Sequence, residues 1–215
     1  MPRIRYDEQL ADLNSELIRM GALCEDAISA SAKSLATGDV ELCRRVDYIY
    51  DEIHRMERNI ENMCLKLLLH QQPVARDLRQ ISAALKMITD MDRIGDQAGD
   101  IAEIIMLLGG KISKASTPIG KMAEAAIKMV TESIEAFVKQ DVLIARAAIE
   151  HDDVVDEYFV KVKGALIAMI AQEPACGEYA LDLLMIAKYF ERIGDHAVNI
   201  AEWVLFSVTG EHKHY

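Results

Sequence analysis

Apolar residues recur along most of this chain in steps of three and four, the period of a helix with one buried face. Between about Asp7 and Ala36 the recurring positions are Leu10, Leu13, Leu17, Met20, Cys24, Ala27 and Ser31. Thr37-Gly38-Asp39 interrupts the pattern. Glycine ends a helix well and aspartate caps the next one. A second helix is predicted from about Val40 to Leu69, with Val46, Ile49, Ile53, Met56, Ile60, Cys64 and Leu67 inward. His70-Gln71-Gln72-Pro73 is a break, because proline disfavours a helical residue before it and starts helices well. A third helix is expected from about Val74 to Leu108, closed by Gly109-Gly110. The polar stretch Lys111 to Thr117 reads as a connection. Pro118 then opens a fourth helix to Lys139-Gln140, and Asp141 caps a fifth that reaches about Ala171. Gln172-Glu173-Pro174 is the second break, and a sixth helix follows from Gly177 to Val208, with a frayed tail from Gly210.

The third and sixth helices contain one stretch written twice. Asp92-Arg93-Ile94-Gly95-Asp96-Gln97-Ala98-Gly99-Asp100-Ile101-Ala102-Glu103 returns 99 residues later as Glu191-Arg192-Ile193-Gly194-Asp195-His196-Ala197-Val198-Asn199-Ile200-Ala201-Glu202. A long internal repeat governs how every local feature is read. Each copy amounts to three long helices with short turns, and short turns make consecutive helices antiparallel neighbours. The expected fold is all-α: two tandem three-helix bundle repeats, residues 1–110 and 111–215.

At about 100° per residue, Asp96, Asp100 and Glu103 lie within roughly 80° of Asp92 on one helix face. Beside this acidic stripe runs an apolar one of Ile88, Met91, Gly95, Ala98 and Ala102. The second copy repeats the plan with Glu191, Asp195, Asn199 and Glu202. Glycine inside a helix costs about 1 kcal/mol relative to alanine, so Gly95 and Gly194 predict a neighbouring backbone in close approach. The second helix carries Asp47 and Asp51, and the fifth carries Asp152 and Asp156, both spaced i, i+4. If these faces meet the stripes, four carboxylates converge in each half. Such a site is hard and oxygen-rich and suits Mg²⁺, Mn²⁺, Ca²⁺ or iron better than a thiolate-loving metal. The plainer reading is a set of solvated acid pairs, with Arg93 and Arg192 as partners across helices. Recurrence in both halves weakens the plainer reading and sets the cation site level with it.

Composition narrows the function classes. The 215 residues carry a net charge of −11, which argues against binding nucleic acid or anionic lipid through the overall field. Cys24, Cys43, Cys64 and Cys176 have no metal-binding spacing and read as small buried residues of a reduced compartment. The first residues lead into no apolar signal core, and apolar runs such as 165–171 are too short to span a bilayer. His151 and His196 adjoin acids in sequence, but neighbours point about 100° apart on a helix. Arg76 and Arg79 are expected to pair with nearby acids. No GxSxG, P-loop or HExxH stretch is present.

The segment Gln72-Pro73-Val74-Ala75-Arg76-Asp77-Leu78-Arg79, followed by Asp92-Arg93-Ile94-Gly95-Asp96 and the Glu191–Glu202 stretch, resembles the PhoU family of phosphate-uptake regulators over nearly the whole chain. The resemblance implies a cytoplasmic regulator and not an enzyme. Its implied partners are a phosphate ABC transporter and a sensor histidine kinase, with phosphate-starvation genes repressed when phosphate is plentiful. Contact with the membrane would be indirect, through the transporter. Some family members carry multinuclear metal clusters on acid-x-x-x-acid motifs. Carried over to this chain, the ligands are Asp47, Asp51, Asp92, Asp96, Asp152, Asp156, Glu191 and Asp195, with Asp100 and Asn199 continuing the stripe. The metal is iron, manganese, magnesium, calcium or zinc. Where the family usually shows Glu and Asn, the first copy has Asp92 and Asp100.

The rival reading is a carboxylate-bridged dimetal enzyme in a helical bundle, which calls for Glu-x-x-His on two helices. Here that spacing occurs only as Glu211 with His214, past the last helix, while Asp51 and His54 provide an aspartate version once. A bundle that oligomerises, for instance as a homodimer, is the third reading.

Overall fold

The computed structural model describes residues 2–70, 74–110 and 117–211, and the side chains from Tyr6 onward within these apart from His70. The expected break at Gln71-Gln72-Pro73, most of the connection from Lys111, and His212 and His214 lie outside the described residues. The elements are α1 (Pro2–Thr37), α2 (Val40–His70), α3 (Ala75–Leu107), α4 (Ile119–Lys139), α5 (Val142–Glu150), α6 (Asp152–Gln172) and α7 (Gly177–Thr209), with a 3₁₀ turn at Pro174–Cys176. No strand occurs among the described residues.

The inward stripes of α1 and α2 fall where the periodicity puts them. Leu13, Leu17, Met20, Cys24, Ala27 and Ser31 are buried on α1, and all seven predicted α2 positions are buried. Helices α1, α2 and α3 pack on one another, as do α4, α5, α6 and α7. The halves are not separate: α3 lies along α7 and α1 along α4, so a single apolar core runs through both. Asp39 Oδ1 accepts from Glu41 N at 3.0 Å and starts α2. Asp141 Oδ1 accepts from Leu143 N at 2.7 Å and starts α5. Before each cap the chain turns through a left-handed residue, Gly38 (φ 75°) or Gln140 (φ 52°). The end of α3 is fastened to the first of these turns: a Cβ at Gly110 would stand 2.4 Å from the Gly38 carbonyl oxygen.

Two expectations need correction. The fifth helix is not continuous. At His151 (φ −71°, ψ −11°) the ladder tightens to an i→i+3 bond, Val154 N to His151 O at 3.0 Å, separating α5 from α6. The imidazole is tied to α4 through Nδ1 and Glu132 Oε2, 2.5 Å apart, and no proline or glycine marks the place. The second correction concerns the mid-helix glycines, which admit side chains and not a neighbouring backbone. A Cβ at Gly95 would meet Ile53 at 3.2 Å, and one at Gly194 would meet Asp152 Oδ1 at 3.4 Å.

Candidate metal centre

Helices α6 and α7 run antiparallel in contact, each with an i, i+4 acid pair on the facing side. Asp152, Asp156, Glu191 and Asp195 therefore share one electrostatic site. Burial comes first in raising Asp152, followed by the charges of Asp156, Asp195, Asp153 and Glu191, and the carboxyl is pushed up to about 6. Partial desolvation and the Glu191 charge push Asp195 in the same direction. Asp152 and Glu191 are half-buried, while Asp156 and Asp195 are exposed at the mouth. Lys188 pairs with Glu191 and lies 5.6 Å from the Phe159 ring centre, so it offsets one charge of the four. Like charges that act on a half-buried carboxyl favour a bound proton or cation. An all-carboxylate set with an open mouth has the chemistry of a hard-cation site.

The first half does not repeat this site. Buried positions of α1 and α2 map onto α4, α5 and α6 with a constant displacement of 102: Cys24 onto Ala126, Cys43 onto Ala145, Ile53 onto Val155, Ile60 onto Val162. Helix α3 maps onto α7 with the displacement of 99, Ile94 onto Ile193 and Ile101 onto Ile200. Asp152 and Asp156 therefore correspond to Tyr50 and His54. Asp47 and Asp51, expected to be their equivalents, lie three residues away and are rotated by about 60°.

Asp92 and Asp96 accordingly meet different partners. His54 Nδ1 is bonded to Asp92 Oδ1, and the bond raises the histidine above its usual range. Tyr50 is hydrogen-bonded to Asp96, and burial together with that carboxylate raises the phenol. Arg93 Nη1 donates to Asp96 Oδ2 at 2.8 Å. Glu57 also faces Asp92 and is raised by burial and by that charge. Asp47 faces Glu103 instead, in a groove of about 560 Å³ shared with Tyr50, Arg93, Asp96 and Asp100. Asp51 lies exposed beside Asp47.

Asp100 and Asn199 do not continue the stripes toward α2 and α6 alone. They tie the halves together. Asn199 Nδ2 donates to Asp90 Oδ1 at 3.0 Å, and His196 Nδ1 meets the same oxygen at 2.9 Å. Ninety-nine residues relate Asp90 to Tyr189 and Asp100 to Asn199, and Tyr189 hydrogen-bonds Asp100 in return. The α3–α7 seam thus has an approximate two-fold relation, with one polar tie at each end. Periodicity alone pointed to neither Tyr50, His54 and Glu57 nor Asp90. The signal that would have found the first three is the pair of caps, Asp39 and Asp141, which carry the displacement of 102.

An all-α chain of two related halves, each with a polar cluster between its last two long helices, defines a class of helical-repeat protein. The PhoU domain profile matches twice, at residues 17–105 and 119–204. The chain is 32% identical over 208 residues to a phosphate-specific transport system accessory protein PhoU homolog from Pseudomonas aeruginosa, covering 96% of this chain and 86% of that one. It is 32% identical over 213 residues to the protein of the same description from Clostridium acetobutylicum, covering 98% and 97%. The crystal structure of PhoU from Pseudomonas aeruginosa superposes with a TM-score of 0.90 at 32% identity, covering 96% of this chain and all of that one. The chain belongs to the PhoU family.

Proposed function

We propose that this protein is a regulator of phosphate uptake and of phosphate-starvation signalling, acting as a cytoplasmic adaptor between a phosphate ABC transporter and a sensor histidine kinase. A hard metal ion held by Asp152, Asp156, Glu191 and Asp195 fixes the outer face of the α6–α7 pair that a partner would contact. Family membership supports the regulatory role, since the relatives are described as accessory proteins of phosphate transport. The observation that carries the metal reading is that Asp156, Glu191 and Asp195 all act electrostatically on the half-buried Asp152 carboxyl and raise it. No helix among the described residues is long and apolar enough to cross a membrane, which fits contact with the transporter from one side. Residues 1–110 and 111–215 serve as two repeats with unlike sites, the second for the metal. Binding and shaping a surface need no nucleophile, so the protein acts without turnover.

The test is made in bacteria lacking their own PhoU protein. This chain restores repression of a phosphate-starvation reporter in high phosphate, and affinity capture from those cells recovers the transporter and the kinase. D152N/D195N binds less metal and represses less. Capture that recovers neither partner refutes the adaptor role. Full repression by a metal-free double variant refutes the role of the metal.

A further inference from the structure

The groove of about 560 Å³ between α2 and α3 has four carboxylates along it, those of Asp47, Asp96, Asp100 and Glu103. We propose that it is a docking groove for a basic helix of a partner protein, one that presents arginine or lysine side chains at i, i+4 and i+7. The inference goes beyond the adaptor reading and stands without a metal between α6 and α7. Charge, an unsatisfied buried group and a glycine support it.

Arg93 is the one basic residue lining the groove among the described residues, and it is committed to Asp96. Arg192 of α7 offsets Asp100 in part, while the charges that act on Asp47 are those of Asp51 and Glu103. Burial first, then the neighbouring carboxylates, raise both Asp47 and Asp100. The chain therefore leaves the groove short of positive charge. Asp96, Asp100 and Glu103 stand at i, i+4 and i+7 on α3 and extend over about 10 Å, at about 1.5 Å per residue. Metal–oxygen distances of about 2.0–2.6 Å do not bridge such a span. A helix laid along the groove does, with basic side chains at the same spacing. Tyr50 and Met106 line the groove as well, and offer apolar surface to the stems of those side chains.

Gln97 lines the groove at 8% exposure, and its Oε1 has no hydrogen-bond partner among the described residues. Buried acceptors are rarely left so, and a guanidinium or ammonium group entering the groove supplies the donor. In the second half the place of Gln97 is taken by His196, which has its partner in Asp90. Gly99 lines the groove too, in the interior of α3, where glycine weakens a helix. A Cβ at Gly99 would meet nothing within 4 Å, so no neighbouring element of this chain requires the glycine. The missing side chain lets an outside backbone come close. Val198 stands at the equivalent position of α7.

The experiment uses the full chain in chelator and a fluorescent alanine-rich helical peptide of about 20 residues with arginines at i, i+4 and i+7. An otherwise identical peptide carries glutamines there. Fluorescence anisotropy shows the arginine peptide bound and the glutamine peptide unbound. D47N/E103Q weakens binding by about fivefold or more. E8Q/D12N changes the net charge equally on an exposed face of α1 and stays within about twofold of the parent. Gly99→Leu keeps every charge, fills the groove and weakens binding at least as much as D47N/E103Q, with helical content by circular dichroism unchanged. The inference is overturned if D47N/E103Q and E8Q/D12N weaken binding equally, since the general field then does the work. It is overturned if folded Gly99→Leu binds like the parent. Without chelator, displacement of the peptide by Mg²⁺ at an ionic strength where Na⁺ leaves it bound would make the groove a metal site and overturn it too. The peptide titration reads the groove directly, so recovery or loss of the transporter and kinase in affinity capture tests the adaptor role separately.

Discussion

Replacing Asp152 with asparagine removes one of four facing carboxylates while keeping size and shape. A carboxyl raised from 3.8 to about 6 corresponds to a differential interaction of about 3 kcal/mol at full strength. Asp152 is only half-buried, so solvent screening reduces this to about 1–2 kcal/mol. Asp152 also lies in the first turn of α6, where a negative charge gains roughly 0.5 kcal/mol from the helix dipole. Desolvation and then repulsion outweigh the dipole, and the metal-free asparagine variant is more stable than the parent by about 1 kcal/mol at pH 7.5. The folded-state pKa lies above the unfolded one, so the folded chain keeps its proton longer. The penalty is therefore absent below about pH 4, grows between pH 4 and 6, and is complete above pH 6. Urea denaturation in the presence of chelator should show the gain of the variant at pH 7.5 and its disappearance at pH 4. With metal added, the order reverses. A ligand at a hundred times its Kd stabilises the parent by about 2.7 kcal/mol, and the variant, lacking a ligand, gains less. A variant less stable than the parent in chelator at pH 7.5, or one stabilised equally by metal, would refute the reasoning.

Three further perturbations probe the frame around the site. Gly110→Ala forces a side chain into φ 68°, with its Cβ against the Gly38 carbonyl. The left-handed backbone alone costs about 1–2 kcal/mol, so the urea midpoint should fall by at least that much. Asp90→Ala removes the acceptor of both His196 and Asn199 across the α3–α7 seam. At about 1 kcal/mol per bond the loss is roughly 2 kcal/mol, and amide exchange should quicken in α3 and α7 before α1. Gly194→Ala gains up to about 1 kcal/mol of helix propensity against contacts of ordinary length. Its melting temperature should therefore hold or rise, and a marked fall would mean that Asp152 cannot yield to the new methyl group.

The parts of the fold that could be read in the sequence are those set by local rules. The buried stripes of α1 and α2 follow from helical spacing, and Asp39 and Asp141 cap because a short carboxylate reaches free backbone N–H groups. The 99-residue repeat related α3 to α7 because both copies kept the same small and acidic residues at the seam. Between α2 and α6 no such wording survives, and a shared i, i+4 spacing is too common to fix a register. Spacing alone therefore pairs Asp47 and Asp51 with Asp152 and Asp156, although packing places Tyr50 and His54 there. The tightening at His151 has no local breaker, since its tie is to Glu132 on another helix. The stripe makes Asn199 a candidate ligand, yet its amide is directed across the seam to Asp90, a contact that exists only because α3 lies against α7.

The most direct measurement is anomalous diffraction from crystals of the full chain loaded with Mn²⁺. A manganese peak within coordination distance of carboxylate oxygens from Asp152, Asp156, Glu191 and Asp195 is the predicted result. No peak between α6 and α7, with those carboxylates turned apart into solvent, would contradict it.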